Sequence, residues 1–176
     1  MSNIVYIATS LDGYIARENG EIDWLNNIEN PDNSDFGFNE FISRIDAIVM
    51  GRKTYEIVTS FGGEWPYIKP VFVLTNTLNK IPDKLKDKVF LINGEPEEII
   101  KKLNKKGYRE LYIDGGTTIN SFLKNNLIDE LIITRVPIIL GSGIPLFNKL
   151  DKQIELKHIE TISYNNGLVK SVYIKK

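Results

Sequence analysis

Short β-branched apolar runs alternate with amphipathic stretches along the chain, and that rhythm predicts an α/β fold. Strands are expected over Ile4 to Ala8, Ala47 to Met50, Val71 to Thr75, Val89 to Ile92, Glu110 to Ile113 and Glu130 to Val136. Several of these runs are apolar throughout, as central strands covered on both faces are. Helices fit between them, over about Phe36 to Ser43, Lys53 to Ser60, Pro96 to Lys106 and Thr118 to Asn125. The Pro96 helix carries the fullest signal: proline in the first turn, Glu97 and Glu98 at the positive end, Lys105-Lys106 in the last turn and Gly107 as cap. Ile99, Ile100 and Leu103 form its buried stripe. Near the end, Ile154 to Ser163 and Leu168 to Ile174 flank Asn165-Asn166-Gly167, whose Asn-Gly step favours a tight hairpin turn. The expectation is a mixed, mostly parallel central sheet that finishes in a C-terminal antiparallel hairpin. No repeat or low-complexity linker interrupts the pattern, and 176 residues suit one domain over 1–176.

Composition then narrows the chemistry. The chain has no cysteine and one histidine, His158, which excludes disulfides, thiolate nucleophiles, iron–sulfur clusters and cysteine-based zinc sites. No metal ligand set is expected. With 22 Lys+Arg against 23 Asp+Glu the net charge is −1, which argues against a nucleic-acid partner. The Lys101-Lys102 and Lys105-Lys106 cluster reads as a solvated helix face. The N-terminus lacks a basic start followed by a long apolar stretch, and no run approaches the ~20 residues that span a bilayer. A cytoplasmic protein without a membrane partner is the expectation, and the apolar C-terminal ribbon offers an edge for a second copy.

Two strand-to-helix turns carry chemistry. Ile48-Val49-Met50 runs into Gly51-Arg52-Lys53-Thr54, and Leu111-Tyr112-Ile113 runs into Asp114-Gly115-Gly116-Thr117-Thr118. A helix N-terminus presents unpaired N–H groups, and glycine lets a phosphate approach them without meeting a Cβ. Each turn has a plainer reading: the threonines as N-caps, the glycines as tight turns. Together they suit a dinucleotide, whose phosphates are separated and which α/β sheets bind at the carboxyl ends of their strands. A P-loop needs glycine directly before the lysine, and the usual Gly-x-Gly-x-x-Gly is absent. A Ser-His-Asp hydrolase would need His158, which falls in an expected strand and has no Gly-x-Ser-x-Gly partner motif; it reads as structural or exposed.

Ile7-Ala8-Thr9-Ser10-Leu11-Asp12-Gly13-Tyr14-Ile15-Ala16, Ile48 through Glu56, and Leu111 through Gly116 occur in the order seen in the dihydrofolate reductase superfamily. Ser10 to Gly13, with Leu127 to Leu131 and Leu140 to Phe147, makes the chain resemble in particular the reductase domain of bifunctional riboflavin-biosynthesis deaminase-reductases and its small free-standing relatives. The resemblance implies a three-layer α/β/α fold and a reduced nicotinamide cofactor, usually NADPH. It places the phosphates at Gly51, Arg52, Lys53 and Thr54 and at Gly115, Gly116, Thr117 and Thr118, with Ile113 leading into the second turn. Leu74, Thr75 and Asn76 would lie by the adenosine 2′-phosphate, and Ala8 near the nicotinamide. Asn76 stands where many reductases have a basic residue, so preference for NADPH over NADH rests on Arg52 and Lys53.

The resemblance also points to a carboxylate that assists proton delivery. Asp35 has suitable spacing to Gly51, with Asp32 beside it, although Asn33-Ser34-Asp35 is equally an ordinary helix cap. Asp12 is the other candidate, or a turn residue. Trp24 matches a substrate-side tryptophan, with core packing as its alternative. The implied activity is NADPH-dependent reduction of a pyrimidine or pterin type of substrate, foremost 5-amino-6-(5-phosphoribosylamino)uracil. Dihydrofolate reductase is the rival reading, and a nucleotide-binding sensor without turnover is one of another class. The His-x-Glu and Pro-Cys-x-x-Cys motifs of the companion zinc deaminase are missing, so the chain is expected to be a complete, stand-alone reductase domain.

Overall fold

The computed structural model describes residues Met1–Lys176. Its strands are β1 (Ser2–Thr9), β2 (Tyr14–Ala16), β3 (Ala47–Gly51), β4 (Val71–Leu74), β5 (Val89–Ile92), β6 (Glu110–Asp114), β7 (Glu130–Arg135), β8 (Ile144–Pro145), β9 (Leu156–Ser163) and β10 (Val169–Lys175). The α-helices are α1 (Asp23–Asn26), α2 (Phe38–Arg44), α3 (Arg52–Ser60), α4 (Pro96–Lys105) and α5 (Gly116–Lys124). Eight strands form one sheet in the order β5-β4-β3-β6-β1-β7-β10-β9. The pairings from β5 to β7 are parallel, while β10 runs antiparallel to β7 and β9 antiparallel to β10. The mixed sheet and its closing hairpin are thus as the hydrophobic pattern predicts.

Strand periodicity divides the core into two layers. Val5, Val49, Leu111 and Ile113 face α4 and α5, packing on Ile99, Leu103, Ile119 and Phe122. Ile4, Ile48, Met50 and Tyr112 face the other way, onto Phe41 and Ile42 of α2 and Tyr55 of α3. Side chains that alternate with period two along a strand give each layer its own helices, so the parallel strands are apolar on both sides.

Several details depart from the sequence expectation, beginning with the short helix α1, which no pattern there predicts. The second helix begins at Phe38, two residues later than expected, because Phe36 and Gly37 take left-handed backbone at φ 54° and 86°. α5 begins at Gly116, ahead of Thr118. A separate two-stranded sheet, β2 with β8, is not signalled by the sequence; its segments are too short to show a period. No helix is long and apolar enough to cross a membrane.

Candidate functional site

β3 and β6 are neighbours with Met50 opposite Asp114, so the two glycine turns at their carboxyl ends lie side by side. α3 starts from Gly51 and α5 from Gly115, and neither N-terminus has a side-chain cap. Their leading N–H groups therefore face outward without intrahelical partners, two partial positive charges on one rim. Arg52, Lys53 and Thr117 are exposed there, with Thr54 half-buried.

The turns also interlock. A Cβ on Gly51 would stand 2.9 Å from the Thr118 hydroxyl oxygen, and one on Gly115 would collide with the Thr54 hydroxyl. Gly116 lies against Ile15, where a Cβ would come within 2.6 Å of Cδ1. Space that the sequence reading keeps for phosphate is filled by the opposite turn, and Thr118, a buried side chain, is part of that packing. What the rim offers an anion is its N–H groups and the exposed donors beside them.

Next to α3, a cavity of about 390 Å³ is lined by Arg52, Leu74, Thr75, Asn76, Thr77, Asn93 and Gly94. It brings the end of β4 together with Arg52 and adds the β5–α4 turn, Asn93-Gly94, which sequence reasoning missed. The Thr75 hydroxyl oxygen accepts the N–H of Thr77 at 3.1 Å and of Leu78 at 2.9 Å, leaving its own proton to donate. Arg52 Nη1 donates to Glu56 Oε1 at 2.9 Å, so part of the guanidinium remains free. A hollow lined by two hydroxyls, two side-chain amides and one cation, beside two uncapped helix ends, fits the adenosine side of a dinucleotide. Lys53 does not line this cavity. A larger one, about 660 Å³, opens along the β5 edge and contains none of the turn residues.

At the other end of the rim, Ala8 packs with Trp24, Val136 and Leu168. Trp24 is 3% exposed, and its indole N–H has no hydrogen-bond partner. Such a buried orphan donor is costly unless something supplies an acceptor.

Both expected carboxylates are engaged by backbone. Asp12 accepts the Ser10 hydroxyl at 2.6 Å and the N–H groups of Leu140 at 3.1 Å and Gly141 at 2.8 Å; the Ser10 bond above all holds its pKa below the usual range. Asp35 accepts the N–H groups of Asn39 at 3.0 Å and Gly37 at 2.9 Å, and these, Asn39 first, lower its pKa too. The first is a loop clasp and the second caps α2, so each stays ionised at neutral pH. Asp32 lies exposed in the preceding loop.

The carboxyl that sequence reasoning missed is Asp114. It ends β6 on the Tyr112 side of the sheet and accepts the Gly115 N–H at 2.8 Å. Burial pushes its pKa up to about 6, against the opposing pull of the Gly115 N–H and the Tyr112 hydroxyl. The same burial, with Asp114 beside it, raises the Tyr67 phenol. An acid closing the apolar run Leu111-Tyr112-Ile113 was the available signal. Ahead of Gly115-Gly116, however, an aspartate reads as a turn former.

Comparison with known proteins gives consistent relatives. A profile of the family described as RibD C-terminal domain matches residues 3–170. The uncharacterized Bacillus subtilis protein YwjB is 39% identical over 157 residues, covering 88% of this chain and 87% of its own. A Shewanella sp. PV-4 crystal structure, provisionally described as a riboflavin biosynthesis protein, superposes with a TM-score of 0.96 at 51% identity, covering 100% and 99% of the two chains. Dihydrofolate reductase from Enterococcus faecalis, in a complex with NADP(H), gives 0.65 at 16% identity over 99% of this chain and 96% of that one, a likeness of fold.

Proposed function

The chain belongs to the RibD C-terminal domain family, and from that premise we propose that it is an NADPH-dependent reductase of a pyrimidine type of substrate, foremost 5-amino-6-(5-phosphoribosylamino)uracil. The observation that carries the reading is the pair of uncapped helix N-termini at adjacent strand ends, flanked by the Arg52 hollow on one side and by Ala8 on the other. Arg52, Thr75 and Asn76, with the Asn93-Gly94 turn, would hold the adenosine end. The leading N–H groups of α3 and α5, with Lys53 and Thr117, would take the phosphates. Ala8, with no side chain beyond Cβ, leaves room for the nicotinamide ring.

When bound, a reduced nicotinamide would supply the hydride for an electron-poor carbon. The protein's own work is then to fix the acceptor at near-attack distance, exclude water and deliver a proton to the adjoining heteroatom. Trp24, buried beside Ala8, backs this end of the cleft, and its N–H would reach a substrate oxygen only if the packing around it opened. Asp114 is the group we assign to hold the proton: with Tyr112 opposite Ile4 it shares the face of the sheet that carries Ala8, and its pKa of about 6 lies near operating pH, whereas Asp12 and Asp35 are pulled the other way. A cytoplasmic location accords with a cysteine-free chain and an intracellular cofactor.

Incubation of the purified protein with NADPH and, separately, the deaminated phosphoribosylaminouracil or dihydrofolate tests the reading by loss of reduced-nicotinamide absorbance. Turnover of the uracil alone is the expected result. Turnover of dihydrofolate alone would reverse the substrate assignment, and cofactor binding without turnover of either would favour a sensor.

A further inference from the structure

Lys170 is half-buried, yet it takes part in no ion pair. Its ammonium donates instead to the Phe36 carbonyl oxygen at 2.8 Å. The hydroxyls of Tyr6 and Tyr164 converge on the same oxygen, each at 3.1 Å. A carbonyl oxygen has two lone pairs, so three donors, one of them cationic, demand more than it provides. Meeting them also strains the chain: Phe36 sits at φ 54°, a region that bulky residues seldom enter. At Gly37 a Cβ would come within 2.7 Å of Lys170 Nζ.

Two of the three donors stand on the main sheet. Tyr6 belongs to β1 and Lys170 to β10, while Tyr164 follows β9 directly. The oxygen they share comes from the irregular segment between α1 and α2. Ala8 is opposite Thr134, and Thr134 is opposite Lys170, so Ala8 and Lys170 share a face two strands apart, roughly 10 Å at the usual strand spacing.

We propose that Tyr6, Tyr164 and Lys170 form an oxyanion subsite for the substrate, taking a phosphate or carboxylate on the face of the sheet that carries Ala8, two strands from it, and that the Phe36 carbonyl fills it until substrate arrives. An anionic oxygen group gives the ammonium a direct counter-charge as well as a hydrogen bond, where it now has a neutral carbonyl with the Asp35 carboxylate one residue away near Tyr6, and it offers enough lone pairs for all three donors. The subsite rests on the proposed reductase function only for the position of the reacting carbon at Ala8.

Inorganic phosphate, and acetate in a parallel series, are titrated calorimetrically into protein saturated with NADPH, which occupies the cofactor's own phosphate positions. Saturable phosphate binding is expected in the millimolar range, weakened about tenfold in Lys170→Met, as for loss of a charged hydrogen bond. Tyr164→Phe should weaken it severalfold, and Lys170→Arg should retain it. Phosphate bound more tightly than acetate supports a phosphorylated substrate, and the reverse a carboxylate; both support the subsite. Backbone amides of residues 30–37 should exchange faster with phosphate bound, since the Phe36 carbonyl is released. Unchanged phosphate affinity in Lys170→Met, or no saturable binding of either anion, overturns the subsite. Should Lys170→Met fail to fold, Tyr164→Phe decides the matter, because its ring keeps the packing against Phe36. Failure of NADPH to bind would overturn the cofactor reading instead. The same titration without NADPH would still compare wild type with Lys170→Met.

Discussion

Gly51 and Thr118 touch across the two helix-opening turns, with room for no Cβ between them: one built on Gly51 would stand 2.9 Å from the threonine hydroxyl. Gly51 has φ −75° and ψ 160°, a conformation open to any residue, so only this contact bars a side chain. Gly51→Ala is expected to destabilise the protein by about 1–3 kcal/mol through overpacking. Thr118→Ala should recover most of that loss in the double variant. Urea midpoints of the four proteins give the coupling, and purely additive losses would show that the turns do not brace each other.

Asp114 should make stability fall as pH rises. Its folded pKa, about 6, lies above the ordinary 3.8, so the folded chain holds its proton more tightly than the unfolded one. The neutral carboxyl is accommodated fully below about pH 4, and a penalty grows as pH climbs through about 6. Two pKa units correspond to about 3 kcal/mol as an upper measure. Asp114→Asn should therefore unfold at higher urea than wild type at pH 7.5, and at the same urea at pH 4. If Asp114 delivers the proton, kcat of the wild type declines above about pH 6, and the variant loses both the rate and that limb. An unchanged pH profile in the variant would remove Asp114 from the reaction.

The six parallel strands are visible in the sequence because each is a compact apolar run, and the closing hairpin because Asn166-Gly167 punctuates it. Helix starts are less visible. Asp35 does cap α2, yet the left-handed Phe36 and Gly37 that let it reach Asn39 delay the helix, and Phe36 is held there by donors from β1 and β10, far along the chain. The glycine turns stand out as positions, but the reason for glycine at 51 lies in Thr118, some sixty residues away, and at 115 in a backbone at φ 88° as well as in Thr54. Asp114 has Tyr112 of its own strand on the same face and is close enough to Tyr67, in the loop before β4, to raise that phenol; the loop's approach is a long-range contact that no local pattern records.

Arg52 is the one ionised side chain lining the adenosine-end hollow, in which Asn76 stands as a neutral neighbour. Discrimination for the 2′-phosphate should therefore rest on a single guanidinium. Arg52→Gln is expected to weaken NADPH about tenfold, as for loss of a charge-assisted hydrogen bond, and to leave NADH within about twofold. Raising salt should erode the wild-type preference toward that of the variant. Fluorescence titration of both reduced cofactors measures this, and an equal loss for the two would place Arg52 elsewhere on the cofactor.

Asn120 governs the loop that covers the head of α5. Its buried amide nitrogen donates to the carbonyls of Gly116 and Leu146, both at 2.8 Å, and its oxygen accepts the Asn148 N–H at 2.9 Å. Leu146 is thereby fixed in the core at 1% exposure, directly after the Ile144–Pro145 strand that pairs with β2. Ile15 of β2 is in turn the residue against which Gly116 rests. Asn120→Leu would strand the Leu146 carbonyl and the Asn148 N–H, with an expected cost of about 2–3 kcal/mol. Amide exchange at Asn148 should speed up. Because the same contacts hold Ile15 against the start of α5, cofactor affinity should fall as well. Asp12→Ala frees the Leu140 and Gly141 N–H groups at the exposed end of this loop, so it should alter exchange there with little change in global stability. If Asn120→Leu lowered stability but left NADPH affinity intact, the loop would be a structural brace that plays no part in shaping the rim.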